Sequence, residues 1–137
     1  QYQLSPCCNA VKGDEIFGFI NINGGIKIHR VNCPNAEHLM ANYGYRVIKA
    51  EWEDEDSTEF IVELNIKGMD SGPGVIESVS SNLSTQLGLN IKSFYIDGHE
   101  GYFDGKVSVI VKNKNQVSEA INLLKEMDEI HSVERVN

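Results

Sequence analysis

The order of hydrophobic patterns after residue 57 constrains the fold of this chain more than any other feature of its sequence. The segment TEFIVELNIKG alternates apolar and polar residues, which predicts a strand whose buried face is made of Phe60, Val62, Leu64 and Ile66. The next segment, GVIESVSSNLSTQLG, has helical spacing and ends at Gly88, with an apolar stripe made of Ile76, Val79, Leu83 and Leu87. A strand and a helix that each carry one apolar face are expected to pack those faces together.

A similar order of patterns returns in the remainder of the chain. The strands LNIKSFYIDG and YFDGKVSVIVK are joined through GHEG as an antiparallel hairpin, with Phe103, Val107, Val109 and Val111 facing the core. A helix over NQVSEAINLLKEM follows, with Val117, Ala120, Ile121 and Leu124 inward, and IHSVERV predicts a last strand. The complete order is βαββαβ, which predicts two helices on one face of a four-stranded antiparallel sheet, the ferredoxin-like architecture. Proteins with this architecture have many functions, so the topology alone identifies none.

The first 53 residues predict a smaller module that is rich in strands. IFGFI and IKIHR flank NINGG, where two glycines supply the positive φ angles of a hairpin turn. Pro34 is expected to begin a helix over PNAEHLMANYG that Gly44 caps. YRVIKAEW predicts a third strand that places Ile48, Ala50 and Trp52 on one face, and no helix or strand is expected before Cys7. The chain is therefore α+β, with a β-rich module of one helix at residues 1–53, the acidic run EDEDSTE as the boundary, and the βαββαβ domain at residues 57–137.

Charge is distributed unevenly between the two modules. The chain carries a net charge of -8, but residues 1–50 carry +2 and the remaining 87 carry -10. This asymmetry discourages a general nucleic-acid binder and suggests two modules with different partners. No stretch approaches the roughly 20 apolar residues of a membrane span, and no secretion signal precedes the first module, so a cytoplasmic protein without a membrane partner is expected. Because the chain opens on Gln1, we expect a C-terminal piece of something longer.

All three cysteines of the chain lie near His29 in the first module. Cys7, Cys8, His29 and Cys33 offer three sulfur ligands and one nitrogen, and His29 and Cys33 are separated by three residues, a usual spacing for zinc ligands. Adjacent cysteines reach one metal only if the chain turns there, and Pro6 permits such a turn. From spacing alone, a shared metal, buried structural thiols, and a reactive thiol or vicinal disulfide all stay open.

Two other patterns suggest chemistry that we do not favour. Asp14 and Glu15 are adjacent, so on a strand they diverge, and a turn aspartate is a better interpretation than an acid/base pair. Tyr102 and Phe103 are also adjacent, so only one of them can face an open sheet, and the acidic module around them does not favour RNA stacking.

The cysteine motif carries a resemblance to a known family. CCNAVKGDEIFGFI followed by IKIHRVNCPNA resembles the cysteine-rich zinc-finger or ribosome-intersubunit module of the long RelA/SpoT-type (p)ppGpp synthetase/hydrolases, in which a βαββαβ ACT domain follows. The resemblance covers nearly the whole chain and places zinc ligands at Cys7, Cys8, His29 and Cys33. Asn32 stands where that family usually has aspartate, and Lys12 where it usually has proline.

The resemblance implies a non-catalytic regulatory fragment of a stringent-response enzyme. The first module would contact ribosomal RNA through its basic residues, for which the candidates are Lys12, Lys27, Arg30 and Arg46. The ACT domain would control the upstream catalytic domains, form a homodimer, or bind an amino acid at the positions that match the family's ligand loop, which are Asp70, Gly74, Val75 and Ile76. In that loop Ser71 replaces the usual arginine and SGPG is about one residue longer than the pattern, so a tight turn without a ligand is the alternative.

Two other functions compete with this interpretation. A freestanding ACT-type sensor of an amino acid or metal would need no catalytic partner. A thiol enzyme would use Cys33 as nucleophile and His29 as base, and would need a reactive thiol in an open pocket.

Overall fold

The computed structural model describes residues 2–53, 58–70 and 74–136, and it divides into two compact units at residues 1–57 and 58–136. Most of the acidic run chosen as the boundary, residues 54–57, lies outside the described residues, as do Ser71 and the two residues that follow it.

The first unit is a four-stranded sheet with one helix. Its elements are β1 (Tyr2–Leu4), β2 (Ile16–Ile20), β3 (Ile26–Arg30), α1 (Ala36–Tyr43) and β4 (Val47–Lys49). The strand order is β1-β3-β2-β4, in which β2 pairs antiparallel with β3 and β4 while β1 pairs parallel with β3. The predicted hairpin and helix are present. Strand β1 contradicts the expectation that no element precedes Cys7, and its three residues are too few for periodicity to reveal it.

Three details of this unit differ from the sequence prediction. Of the two turn glycines only Gly24 has a positive φ, of +90°. Gly44 keeps a right-handed φ of -55° and begins a 3₁₀ turn over Gly44–Arg46, so the helix is not closed by a left-handed cap. Strand β4 ends at Lys49, and Trp52 lies beyond it, where its indole N–H donates to the Asp14 carbonyl at 2.9 Å.

The second unit has the predicted βαββαβ order. Its elements are β5 (Phe60–Met69), α2 (Val75–Ser81, continued by a π-helical turn at Asn82–Gln86), β6 (Asn90–His99), β7 (Tyr102–Val111), α3 (Lys114–Lys125) and β8 (Ile130–Arg135). The four strands pair antiparallel in the order β6-β7-β5-β8. The ferredoxin-like prediction for this half of the chain is confirmed.

The core of the second unit follows the predicted faces, with one shift in α2. The inward residues predicted for β5 and β7 are all buried. In α2 and its continuation the buried residues are Val75, Val79 and Leu83, whereas Ile76 is 50% exposed and Leu87, also predicted to face inward, lies past the last turn and is only partly buried. Because Val75 is the first helical residue, the stripe runs from it in steps of four, and Ile76 falls outside it. In α3, Ile121 is only partly buried, unlike the other predicted inward residues.

Strand β5 contains a close backbone approach near its end. The register between β5 and β8 shifts between Lys67 and Gly68, and the Met69 N–H donates to the Glu129 carbonyl at 2.9 Å. A Cβ atom on Gly68 would overlap that carbonyl oxygen and lie 2.8 Å from the ring of Phe103. A side chain at this position therefore has no space without a backbone shift.

Within the described ranges, no helix is long and apolar enough to cross a membrane.

Candidate metal centre

The side chains of Cys7, Cys8, His29 and Cys33 converge on one point of the first unit. The Cys7 sulfur lies 3.3 Å from the Cys33 sulfur, 3.9 Å from the Cys8 sulfur and 3.4 Å from Nδ1 of His29. The same nitrogen lies 3.8 Å from the sulfur of Cys8 and 3.7 Å from that of Cys33. All four ligand atoms lie within 4.8 Å of one another.

A turn brings the adjacent cysteines to the same side. The Asn9 N–H donates to the Ser5 carbonyl at 3.0 Å, and Asn9 takes a positive φ of 45°. The Ser5 N–H donates to the Ile28 carbonyl at 2.9 Å, which holds the turn against β3. Because Cys7 and Cys8 lie in this turn and not in a strand, their side chains avoid the alternation that would send them to opposite faces.

The other two ligands lie at the end of β3 and in the turn that follows it. His29 pairs across the hairpin with Phe17, and the two rings stack at a centroid distance of 5.3 Å, while Phe19 meets the imidazole edge-on at 6.3 Å. The Cys33 N–H donates to the Arg30 carbonyl at 3.0 Å, which turns the chain back toward the site. These contacts fix the orientation of the imidazole and the position of the last sulfur.

Two features of the surroundings were missed at the level of sequence. The Ser5 hydroxyl lies 3.1 Å from the Cys7 sulfur, and Ser5 is buried. Pairing IFGFI with IKIHR around the predicted turn would have placed Phe17 opposite His29, so the aromatic neighbour was accessible from hairpin register. Ser5 had no comparable signal, because its position depends on the unpredicted pairing of β1.

Burial and hydrogen bonding affect the four ligands differently. Burial raises the pKa of Cys8 to about 12, although the Arg30 backbone N–H opposes the change, and burial also raises the pKa of Cys33. Burial, aided by the charge of Lys27, lowers the pKa of His29, which keeps its imidazole neutral at neutral pH. For Cys7, burial opposes ionisation, but hydrogen bonds from Ser5 and neighbouring groups outweigh it, so its pKa is lowered. Buried thiols of this kind lose their protons when a cation is bound beside them.

The ligand separations match those of a four-coordinate zinc ion. Zinc-sulfur bonds of about 2.3 Å in a regular tetrahedron give sulfur-sulfur separations of about 3.8 Å. Five of the six ligand pairs lie between 3.3 and 3.9 Å apart. Three sulfurs and one imidazole nitrogen are also a usual donor set for structural zinc. The residues present therefore fit a zinc ion in both geometry and chemistry.

Comparison with known proteins supplies the family. Residues 1–53 match the model of the RelA/SpoT RIS domain, and residues 56–135 match that of the ACT domain. The chain belongs to the RelA/SpoT family. The first unit is its RIS domain and the second its ACT domain, in the order that the sequence resemblance implied.

Similar proteins agree with this assignment. The bifunctional (p)ppGpp synthase/hydrolase RelA of Mycobacterium tuberculosis is 35% identical over 50% of this chain and 9% of its own length. The GTP pyrophosphokinase of Haemophilus influenzae is 22% identical over 98% of this chain and 18% of its own length. The crystal structure of the ACT domain from the GTP pyrophosphokinase of Chlorobium tepidum is similar in fold, with a TM-score of 0.50 and 22% identity. The match covers 57% of the present chain and 99% of the Chlorobium tepidum chain. The chain thus spans less than a fifth of either curated relative.

The four basic residues expected to contact RNA differ in their surroundings. Lys12 and Lys27 are partly buried. The Arg46 guanidinium lies over the rings of Phe19 and Tyr43, at 4.7 Å and 5.6 Å from their centroids. Arg30, by contrast, is only 8% exposed. Burial removes Arg30 from the surface that a phosphate could reach, so the sequence expectation for this residue is corrected.

The four residues expected to bind a ligand in the ACT domain line one cleft. Asp70, Gly74, Val75 and Ile76 share a cleft of about 560 Å³ with residues of β6 and β7. Asp70 is held there by its N–H, which donates to the Gly101 carbonyl at 2.9 Å. A Cβ atom on Gly98 would lie 2.8 Å from the Asp70 carboxylate. The cleft is large enough for a small organic ligand.

Proposed function

We propose that this chain is the zinc-stabilised regulatory part of a cytoplasmic (p)ppGpp synthetase/hydrolase. The convergence of Cys7, Cys8, His29 and Cys33 carries the proposal, because this donor set and these separations suit zinc. When bound, zinc would neutralise the buried thiolates and cross-link the first turn of the chain to β3 and the turn after it. The RIS domain would then present a rigid surface to ribosomal RNA, while the ACT domain controls the upstream catalytic domains.

Metal analysis of the whole chain tests the zinc site. We expect one zinc per chain after purification without chelators, and native thiols that do not react with a thiol reagent until zinc is removed. Cys33→Ser should lower the zinc content well below one, while Ser93→Ala, an exposed position in the ACT domain, should leave it at one. A chain that contains no zinc and whose thiols react at once would favour a thiol enzyme. The structure does not favour that function, because Cys33 is only 5% exposed and a nucleophile must reach its substrate.

Surface charge supports RNA contact by the RIS domain. Because Arg30 and Asp14 bury opposite charges together, their loss from the surface leaves the +2 balance of residues 1–50 unchanged. Beside Arg46, Tyr45 is 82% exposed, and exposed tyrosines stack on unpaired bases in RNA. We include Lys12, Lys27 and Arg46 as the phosphate contacts and omit Arg30.

Binding of whole ribosomes over a range of salt concentrations tests this part of the proposal. Lys27→Ala should weaken binding several-fold and reduce the salt dependence by about one released ion, because each phosphate contact displaces a counterion. Lys125→Ala removes one exposed lysine from the ACT domain and is the matched control. Equal losses in the two variants would show that binding depends on overall charge and not on the RIS domain.

The regulatory role predicts that the chain has no catalytic activity of its own. The matched domains are RIS and ACT, and catalytic domains would lie in the rest of the longer protein. Incubation with GTP and ATP, or with (p)ppGpp, should therefore give no synthesis or hydrolysis by the purified chain. Turnover that remains in a second, independently purified preparation would refute this role.

The ten-residue edge strand β6 offers an edge through which two ACT domains could pair as a homodimer.

The cleft of the ACT domain supports a second role, in binding an amino acid. The Asp70 carboxylate would pair with the ligand's ammonium group, and the apolar wall made by Val75 and Ile96 would contact its side chain. Calorimetric titration with each common amino acid tests this role. Gly98→Ala, which would displace the Asp70 carboxylate, should weaken any binding found. Absence of binding would leave a structural turn as the function of this loop.

A further inference from the structure

Arg30 and Asp14 form a buried pair of opposite charges beside the metal centre. Arg30 is 8% exposed and Asp14 is 6% exposed, and the guanidinium Nε lies 3.7 Å from the Asp14 carboxylate. Burying two charges in a domain of this size is costly, and such pairs often add little net stability compared with apolar residues of similar size. The pair therefore needs an explanation other than general stabilisation of the fold.

Two contacts of Arg30 reach Cys8, one ligand of the metal centre. Its backbone N–H donates to the Cys8 sulfur at 3.3 Å, and its Nη1 donates to the Cys8 carbonyl at 3.4 Å. Cys8 is fully buried. The backbone of Arg30 thus contacts the Cys8 sulfur, and the side chain of Arg30 contacts the Cys8 carbonyl. Together these two contacts fix the direction in which the sulfur points.

Asp14 connects the same arginine to the loop that follows the cysteines. Its carboxylate accepts from the Val11 N–H at 2.8 Å, and its own N–H donates to the Val11 carbonyl at 3.0 Å. The Asp14 carbonyl in turn accepts from the Trp52 indole at 2.9 Å. These bonds hold the carboxylate rigidly, so that it can hold the guanidinium in one orientation.

We propose that the Arg30–Asp14 pair is a positioning device that holds Cys8 in the ligand set of the metal centre. Cys8 is the ligand that this support reaches, because the guanidinium held by Asp14 donates to the Cys8 carbonyl. The pair acts through Cys8 and does not touch the ion. The inference rests on the zinc site proposed above. It gives Arg30 a role other than phosphate binding and Asp14 a role other than acid/base catalysis.

Cobalt substitution provides a readout that a merely structural role would not change. Cobalt(II) takes the same tetrahedral ligands, and its sulfur-to-metal absorption grows with the number of bound thiolates. In the whole chain the wild type should show three thiolates per cobalt. Arg30→Met should bind cobalt with roughly two-thirds of that absorption per ion, because Cys8 leaves the ligand set, and should bind zinc about 10- to 100-fold more weakly.

Two further variants separate positioning from folding. Ile28→Val removes one buried methylene group from the strand that carries Arg30, so it should weaken metal binding slightly while the absorption per bound cobalt stays that of three thiolates. Since Arg30→Met leaves Asp14 buried without its charge partner, that variant alone could fail to fold. The double variant Asp14→Asn/Arg30→Met removes both charges, and we expect it to fold with cobalt and to show the two-thiolate absorption.

The outcomes distinguish this inference from the proposed function. Three-thiolate absorption in the double variant, with zinc affinity within about twofold of that of Ile28→Val, would overturn the positioning role while leaving the zinc site intact. A wild-type chain that binds neither zinc nor cobalt would refute the proposed metal function, and the positioning role with it. Reduced absorption in the arginine variants together with full absorption in Ile28→Val would support the inference.

Discussion

Removal of zinc should unfold the RIS domain and leave the ACT domain folded. Among the described residues, the RIS domain buries four large apolar side chains, which are Val11, Phe17, Phe19 and Ile28. At about 1.5–3 kcal/mol each, these contribute about 6–12 kcal/mol of burial free energy. Structural zinc contributes about 10–16 kcal/mol in small domains, so a bound zinc ion would stabilise this one at least as much as these four side chains do. The described part of the ACT domain buries sixteen side chains of that kind and has no comparable dependence.

Backbone amide spectra of the whole chain before and after chelation measure this effect. We expect the amide signals of residues 2–53 to collapse into the narrow range of unfolded chains, while those of residues 58–136 keep their positions. Adding zinc should restore the first set, and adding magnesium should not, because Mg²⁺ does not prefer thiolate ligands. Calorimetry should correspondingly lose one unfolding transition and retain the other.

One result would contradict this dependence of the RIS domain on zinc. If metal analysis shows that zinc is gone and the signals of residues 2–53 remain dispersed and protected from hydrogen exchange, the apolar core of the RIS domain is sufficient without the ion. The three cysteines would then be structural thiols, the alternative left open by their spacing.

Two further predictions concern the ACT domain. Gly68→Ala should destabilise it by about 3 kcal/mol, because the new methyl group meets the Glu129 carbonyl, whereas Gly98→Ala, which meets only the end of a side chain, should cost less than about 1 kcal/mol in urea unfolding. Equal costs would show that the backbone approach is not rigid. The hydrogen bond to Asp104 raises the pKa of the exposed His99, so this pair stabilises the fold below the unfolded pKa of about 6.5 and stops doing so as pH rises through the higher folded value. Asp104→Asn should lower the His99 midpoint in an NMR titration, and an unchanged midpoint would contradict this cause.

The ACT fold was predictable because its strands and helices carry their burial pattern in their periodicity. Alternation fixed the inward face of β5, and all four predicted residues on it are buried. The prediction for α2 was wrong at Ile76, although Val79 and Leu83 are buried as predicted. Val75 and Ile76 are both apolar and lie four and three residues before Val79, so helical spacing alone does not distinguish which of them faces the core.

The candidate metal ligands could be named from the sequence, but the residues that support them could not. Donor type and spacing left a shared metal at Cys7, Cys8, His29 and Cys33 as one of three alternatives, the family resemblance implied it, and the fold brings these four side chains together. Arg30 was expected to contact RNA because it is a basic residue of the module that carries the positive balance. In the fold Arg30 is buried against Asp14 and Cys8, and contacts between residues so far apart in sequence leave no local pattern.

The alternation of His29 and Arg30 on β3 makes the composition of the metal centre depend on the hairpin turn. Consecutive strand residues face opposite sides, so His29 faces the thiols while Arg30 faces the Asp14 carboxylate. The turn at Asn21–Gly25, closed by the Asn21 N–H donating to the Gly25 carbonyl at 2.7 Å, sets the pairing of β2 with β3. A slip of one residue at this turn would exchange the two side chains, bringing a permanent cation among the thiols and leaving an imidazole to face the carboxylate. A single inserted or deleted residue at this distant turn would thus abolish zinc binding while every ligand stayed in the sequence.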